Sequence, residues 1–305
     1  MTYNTYLKKH TFFIFFLFLI FVPSASGETR SLNDFTLVNP AQYYQFENIG
    51  FGISQYEIER EKRSGITIRS APDLPIFIDK PEESEKIIHA VAPVSKNGRI
   101  GLKVSEYVED FRYHDIKLRT ISPTVSYIFP DFALGLTANV YEFSSEDNLI
   151  SRFSPPARRF QNYVLGVVFP TQDFEFGFAY ESKISEQNYD VGSKATLTIR
   201  GDFDDNISIG TIYILDSLNS SEPSNRESTF GIFANMLLGP YISTLVDYRK
   251  SYLESNNKPS SSMATFQFDF LIGTSVSFGG LISQMKIEST NERVSRYGLQ
   301  GMAWL

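Results

Sequence analysis

From about residue 48 the chain alternates apolar residues with small or polar ones, in one stretch of roughly ten residues after another. Phe174, Phe176, Phe178 and Tyr180 alternate with Glu175, Gly177, Ala179 and Glu181. Phe266, Phe268 and Phe270 alternate with Thr265, Gln267 and Asp269, and Leu134, Leu136, Ala138 and Val140 with Gly135, Thr137, Asn139 and Tyr141. Tyr163, Leu165, Val167 and Phe169 mark another apolar face. A helix would scatter each apolar set around a cylinder, whereas a strand puts it on one side. The pattern predicts an all-β chain.

Fourteen strands are predicted, at 48–60, 87–95, 99–112, 117–128, 132–144, 159–169, 173–185, 191–200, 206–216, 228–237, 241–252, 262–271, 274–287 and 294–305. Residues 64–69 extend the first strand or form a hairpin in the loop after it. The connections add a second pattern. Odd-numbered ones run from 4 to 26 residues and even-numbered ones from 2 to 5. The short ones hold turn chemistry, as in Lys96-Asn97-Gly98, Pro130-Asp131 and Gly239-Pro240. An even number of antiparallel strands, with short turns at one end and longer loops at the other, is the pattern of a transmembrane outer-membrane β-barrel. A secreted β-sandwich also alternates, but its connections follow no such rhythm. The second face here is mostly Gly, Ser, Thr, Asn and Ala, which suits a lumen. An apolar content of 42% fits too, because a lipid face on alternate residues is diluted by the polar one.

The residues ahead of the strands divide in two. Lys8, Lys9 and His10 precede the apolar run Thr11–Val22, and Pro23 to Gly27 offer small residues for cleavage, so 1–27 reads as a secretory signal. As a helix this run would reach only about 18 Å, short of the roughly 30 Å hydrocarbon core. Export to the bacterial outer membrane is expected. Residues 28–47 then form a short N-terminal periplasmic plug, and 48–305 the barrel. Eight strands leave a filled interior and 16 to 18 leave an aqueous channel. A barrel between those sizes needs something in its mouth.

Composition removes most other chemistries. With no cysteine there is no disulfide scaffold, thiolate metal site or cysteine nucleophile. A net charge of −7 argues against a nucleic-acid partner. The three histidines, His10, His89 and His114, are not spaced as metal ligands, and no serine lies in a nucleophile elbow. His89, in the second strand, and His114, in a short outer loop, read as surface polar residues. No catalytic residue, metal or cofactor is expected, and the chain does not read as an enzyme.

Short motifs add a resemblance. Asn39-Pro40-Ala41 stands just before the first strand, a local turn in which proline fixes φ. Asn97-Gly98-Arg99-Ile100-Gly101-Leu102 follows in an early hairpin, and Ser122-Pro123-Thr124-Val125-Ser126-Tyr127 precedes Leu134-Gly135-Leu136. On these residues the chain resembles the FadL/TodX family, the outer-membrane transporters of long-chain fatty acids and aromatic hydrocarbons. The resemblance implies a fourteen-stranded barrel with an N-terminal hatch carrying the Asn-Pro-Ala turn. It also implies passive uptake of a hydrophobic small molecule. Family hatches and surface loops are usually longer than these. PorV-like relatives with the same turn act with secretion systems, so a non-transporting scaffold or partner of a surface-export system is the alternative.

Candidate sites follow from position. Leu74, Ile76, Phe77 and Ile78 in the first outer loop, with Leu149, Ile150 and Phe153 in the third, are candidates for ligand capture, or for a self-packed loop lid. Arg152, Arg158 and Arg159 could hold a fatty-acid carboxylate or the phosphates of lipopolysaccharide, a partner that any outer-membrane surface meets along with lipid. Glu175, Glu181, Lys183, Asp247, Arg249 and Asp269 are expected in the lumen or at its rims, since a charge facing lipid near the midplane costs several kcal/mol.

Overall fold

The computed structural model describes residues 39–61, 67–68, 76–77, 82–110, 114–147, 158–186, 189–204, 206–217, 226–255, 257–273 and 275–305. Its strands run β1 Gly50–Arg60, β2 Glu82–Pro93, β3 Gly98–Asp110, β4 His114–Ile128, β5 Ala133–Asp147, β6 Arg158–Pro170 and β7 Phe174–Glu181. They continue as β8 Lys194–Asp204, β9 Ile207–Asp216, β10 Glu227–Leu238, β11 Ile242–Leu253, β12 Lys258–Ile272, β13 Val276–Ile287 and β14 Glu292–Trp304. Each pairs antiparallel with its neighbour, and β1 pairs with both β2 and β14, from Gly50 opposite Trp304 to Arg60 opposite Val294. The sheet closes with fourteen strands and no free edge. Closure lets every backbone polar group find a partner without water, as a bilayer requires.

Alternation decides which residues face lipid. In β7, Phe174, Phe176, Phe178 and Tyr180 are exposed on the outside, while Glu175 and Ala179 are buried inside. Leu134 and Leu136 of β5, Tyr163 and Leu165 of β6, and Phe266 and Phe270 of β12 are exposed in the same way. At the short-turn end Tyr127, Phe129, Phe132 and Phe169 form a chain of ring contacts, with centroids 4.6–6.1 Å apart. Such an aromatic girdle belongs at a membrane–water interface.

Some strands run further outward than the alternation predicts. β2 begins at Glu82 rather than at 87, β5 reaches Asp147 and β12 begins at Lys258. The added segments are charged or Ser-rich, so they read as loop, yet their backbones stay in the ladder above the apolar band. β7, in contrast, stops at Glu181, and a separate ribbon of Ile184–Glu186 with Tyr189–Val191 follows. Thr67–Ile68 pairs with Ile76–Phe77, a hairpin within the first outer connection. In β4, Pro123 has no N–H to give. Its ladder with β5 lapses between Ile121, opposite Val140, and Thr124, opposite Thr137.

Candidate functional site

The candidate plug is a short 3-10 helix of about two turns, Pro40–Gln45, lying inside the barrel against β3 to β7. Local chemistry starts it. Asn39 is extended (φ −102°, ψ 119°), its side chain accepts a bond from the Ala41 N–H, and Gln42 closes a capping box back onto the Asn39 N–H. Pro40 at the first helical position has no N–H to leave unsatisfied.

Tertiary contacts then hold the turn in place. The Asn39 Nδ2 group donates to the Val167 carbonyl at 2.9 Å and the Phe178 carbonyl at 3.0 Å, so one carboxamide bridges β6 and β7. Gly166 and Gly135 make room for this. A Cβ on Gly166 would collide with Asn39 Oδ1, and one on Gly135 with the backbone of Pro40 and Ala41. Ser126 Oγ donates to the Ala41 carbonyl at 3.3 Å.

Glu175 gathers the other side of the turn. Its carboxylate accepts from Gln42 Nε2 at 3.1 Å, the Tyr44 hydroxyl at 2.8 Å and Gln45 Nε2 at 3.2 Å. On the β2 side the Tyr43 hydroxyl is bonded to His89 Nε2, and burial pushes the Tyr43 phenol well above its ordinary value of 10.0. Arg99 Nε donates to the Phe46 carbonyl, and the Phe46 ring stacks on Trp304 at 5.5 Å. The turn is therefore held inside the barrel through hydrogen bonds and ring contacts.

Above this floor lies a chamber of about 430 Å³. Asn39, Pro40 and Tyr43 form its base, and its walls are largely hydroxyl, amide and charged groups, with Val164, Ala179 and Ile214 the apolar exceptions.

The lumen candidates fall in several places. Glu175 holds the plug, as described. Glu181 lines the chamber and accepts from Asn162 Nδ2 at 2.7 Å. Asp247 is buried and paired with Arg249 at 2.8 Å, and Asp269 accepts from Gln300 at 2.8 Å and Gln267 at 3.0 Å. Lys183 is exposed just beyond β7. Arg159 points outward and pairs with Glu142 across β5 and β6. Of Arg158, Ile76 and Phe77 only the backbone pairing is described, with Phe143, Ile68 and Thr67 respectively. Leu74, Ile78, Leu149, Ile150, Arg152 and Phe153 lie outside the described residues.

The reading of His89 as a surface residue is corrected. It is 5% exposed and faces the lumen, because position 89 shares the inward parity of β2 with the buried Glu83 and Val91. His114 is the first residue of β4 rather than part of a loop, paired with Asp147. Two residues of the site went unread in the sequence. Arg99 and Lys103 sit at inward positions of β3, and strand parity alone would have put both in the lumen.

No family model matches the chain, and no curated protein matches it. Solved structures do. The CymD monoaromatic hydrocarbon channel superposes with a TM-score of 0.69 at 10% identity, covering 92% of this chain and 94% of that one. The Ralstonia pickettii toluene transporter TbuX gives 0.68 at 10% identity, over 88% and 92%. A Pseudomonas aeruginosa FadL homologue gives 0.65 at 11% identity, over 92% and 98%. Coverage is nearly full in both directions, and the fold of the chain is that of the FadL/TodX-like outer-membrane transporters.

Proposed function

We propose that the chain is a passive outer-membrane channel for small hydrophobic molecules of the fatty-acid or aromatic-hydrocarbon class. The observation that carries this reading is the plug. It is seated by hydrogen bonds that involve Asn39, Glu175, His89 and Arg99 and by the packing of Tyr43 and Phe46 on Val91, Met302 and Trp304, with none of the barrel's ladder running through it. Each such bond contributes about 1 kcal/mol net, and because the barrel closes through its strands alone the plug can leave or shift without unfolding it. The fold likeness to channels for toluene and other monoaromatics supports the same solute class.

In this reading the apolar stretches 74–78 and 149–153 capture the solute at the outer surface. Arg152, Arg158 and Arg159 meet lipopolysaccharide phosphates there. The solute then passes through the chamber. A wall with few apolar side chains holds a hydrocarbon loosely, and passive flux needs wells that are shallow enough to leave.

The test is deletion of residues 28–47, with uptake of a fatty acid and of small polar dyes measured in proteoliposomes. Permeability to both should rise. Unchanged permeability to both would refute the plug and favour the scaffold role in surface export.

A further inference from the structure

One wall of the chamber carries an arrangement that the hydrophobic-solute reading does not use. Lys103 and Ser105 face inward from β3. Directly across the ladder on β4 stand Ser122, opposite Lys103, and Thr120, opposite Ser105. All four line the chamber. Side chains directly opposite on one face of a sheet have Cβ atoms about 5 Å apart, so one ammonium and three hydroxyls share a single patch.

None of the four is held by the protein. Among the described residues, the side chains of Lys103, Ser105, Thr120 and Ser122 make no hydrogen bond or ion pair. One step nearer the plug the wall behaves differently, for Thr124 and Thr137 bond each other at 2.7 Å. Elsewhere in the barrel, facing hydroxyls such as Thr265 and Ser283 (2.9 Å) do the same. The block of four is thus a run of unused donors gathered in one patch of the chamber wall.

The charges around it leave Lys103 uncompensated. Those it feels most are Glu85 and Arg296, which are paired with each other at 2.6 Å. Lys194 is matched by Asp216 at 3.6 Å and Arg249 by Asp247 at 2.8 Å. Among the described residues, the one carboxylate lining the chamber, Glu181, belongs to β7 on another part of the wall.

We propose that this block is a binding site for a small hydrophilic organic anion, a hydroxylated carboxylate. Its carboxylate sits on the Lys103 ammonium and takes bonds from the Ser105 and Ser122 hydroxyls. Charge-assisted bonds of this kind are roughly twice as strong as neutral ones. Its own hydroxyls meet Thr120 and, on the neighbouring strand β5, Thr137 and Asn139. The chamber of about 430 Å³ has room for the equivalent of about fourteen waters, enough for a sugar acid. An alkyl tail in the same place would leave the wall's donors without partners, so the site selects against the hydrophobic acids that the channel reading favours. It adds a second solute class to that reading rather than depending on it.

Calorimetric titration of the full chain in detergent tests the proposal, with gluconate, glucose and laurate as probes. Gluconate should bind and glucose should not. Lys103→Gln should weaken gluconate at least about tenfold, Lys103→Arg should keep it within about threefold, and added salt should weaken it in the wild type. Each variant is first shown to form the barrel by heat-modifiable gel mobility. Gluconate binding that is absent in the wild type, or unchanged in Lys103→Gln, would overturn the site. So would laurate binding that is tighter than gluconate and lost in Lys103→Gln, because the cradle would then serve an apolar acid.

Discussion

Replacing Asn39 with alanine should unseat the plug without opening the barrel, and the size of the effect can be worked from the contacts. Asn39 is 2% exposed and makes three bonds through its side chain: from Ala41 N at 2.9 Å, to the Val167 carbonyl at 2.9 Å and to the Phe178 carbonyl at 3.0 Å. The two bonds to the wall are worth about 1 kcal/mol each. Loss of the acceptor for Ala41 N–H leaves a buried donor unpaired at the start of the helix, at about 2 kcal/mol. The total of about 4 kcal/mol shifts the ratio of seated to free plug by several hundredfold. Tyr43 and Phe46 are buried when the plug is seated, so chymotrypsin cleavage after them reads the free population. The alanine variant should be cut several hundredfold faster, while heat-modifiable mobility shows the barrel intact. Asn39→Asp separates the two contributions. It keeps an acceptor for Ala41 N–H but turns oxygen toward the Val167 and Phe178 carbonyls, so it should be cut at least as fast. If the alanine variant is cut no faster than the wild type, the carboxamide bridge does not seat the plug and the reasoning fails.

Three further perturbations address the same seat from other sides. Gly135→Ala should expel the plug as Asn39→Ala does, because the new Cβ meets backbone of Pro40 and Ala41 that no side-chain rotation can clear; chymotrypsin protection reads it. Glu175→Gln should weaken seating by about 2 kcal/mol, since the charge that receives Gln42, Tyr44 and Gln45 is lost, and should raise the cleavage rate about thirtyfold. For Tyr43, whose phenol is pushed up from 10.0 by burial, the seated plug favours the neutral form. That stabilisation is complete below the ordinary tyrosine value and is lost as pH rises through the seated one, so protection should fall in alkali above pH 10.0, and Tyr43→Phe should flatten this pH slope while weakening the seat at neutral pH.

Much of the architecture was legible because a closed barrel is written in parity. Once Phe174, Phe176 and Phe178 are assigned to lipid, Glu175 has no choice but the lumen, and the rhythm of long and short connections sets which end is which. Strand ends were harder to read. Glu82 to Lys86 look like loop because charge ordinarily marks solvent, but above the apolar band the ladder continues and charge no longer separates strand from loop. The site was legible only in part. Asn39-Pro40-Ala41 declared itself as a turn, yet its anchors Val167 and Phe178 contribute backbone carbonyls, which leave no mark on side-chain pattern. His89 was misread because a lone histidine carries no parity of its own, and its partner Tyr43 is 46 residues away. Lys103 was passed over for a related reason. Its cradle is made across strands by Ser122 and Thr120, and register is a property of the pairing rather than of either segment.

The distribution of contacts around the ring argues that plug and barrel are separate units of stability. The turn is seated on β2 through His89, on the wall from β3 to β7 through Arg99, Ser126, Val167, Glu175 and Phe178, and on β14 through Trp304. The rest of the lumen is tied to itself. Thr229 bonds Ser251 at 2.7 Å, Asp247 holds Arg249, Thr265 bonds Ser283, and Asp269 joins Gln267 to Gln300. Removing the plug therefore strips partners from one wall and leaves the other networks whole. The exposed wall is also the one that carries Lys103, Ser105, Thr120 and Ser122, already without protein partners when the plug is in place. A solute reaching the chamber thus meets its open donors on the same side as the bonds that hold the plug, with Tyr43 and Asn39 at the foot of that wall. Release of the plug then involves β2 to β7 and Trp304 of β14, and occupancy of the cradle only β3 to β5. The closed ladder from β8 through β14 to β1 keeps the barrel intact while they happen.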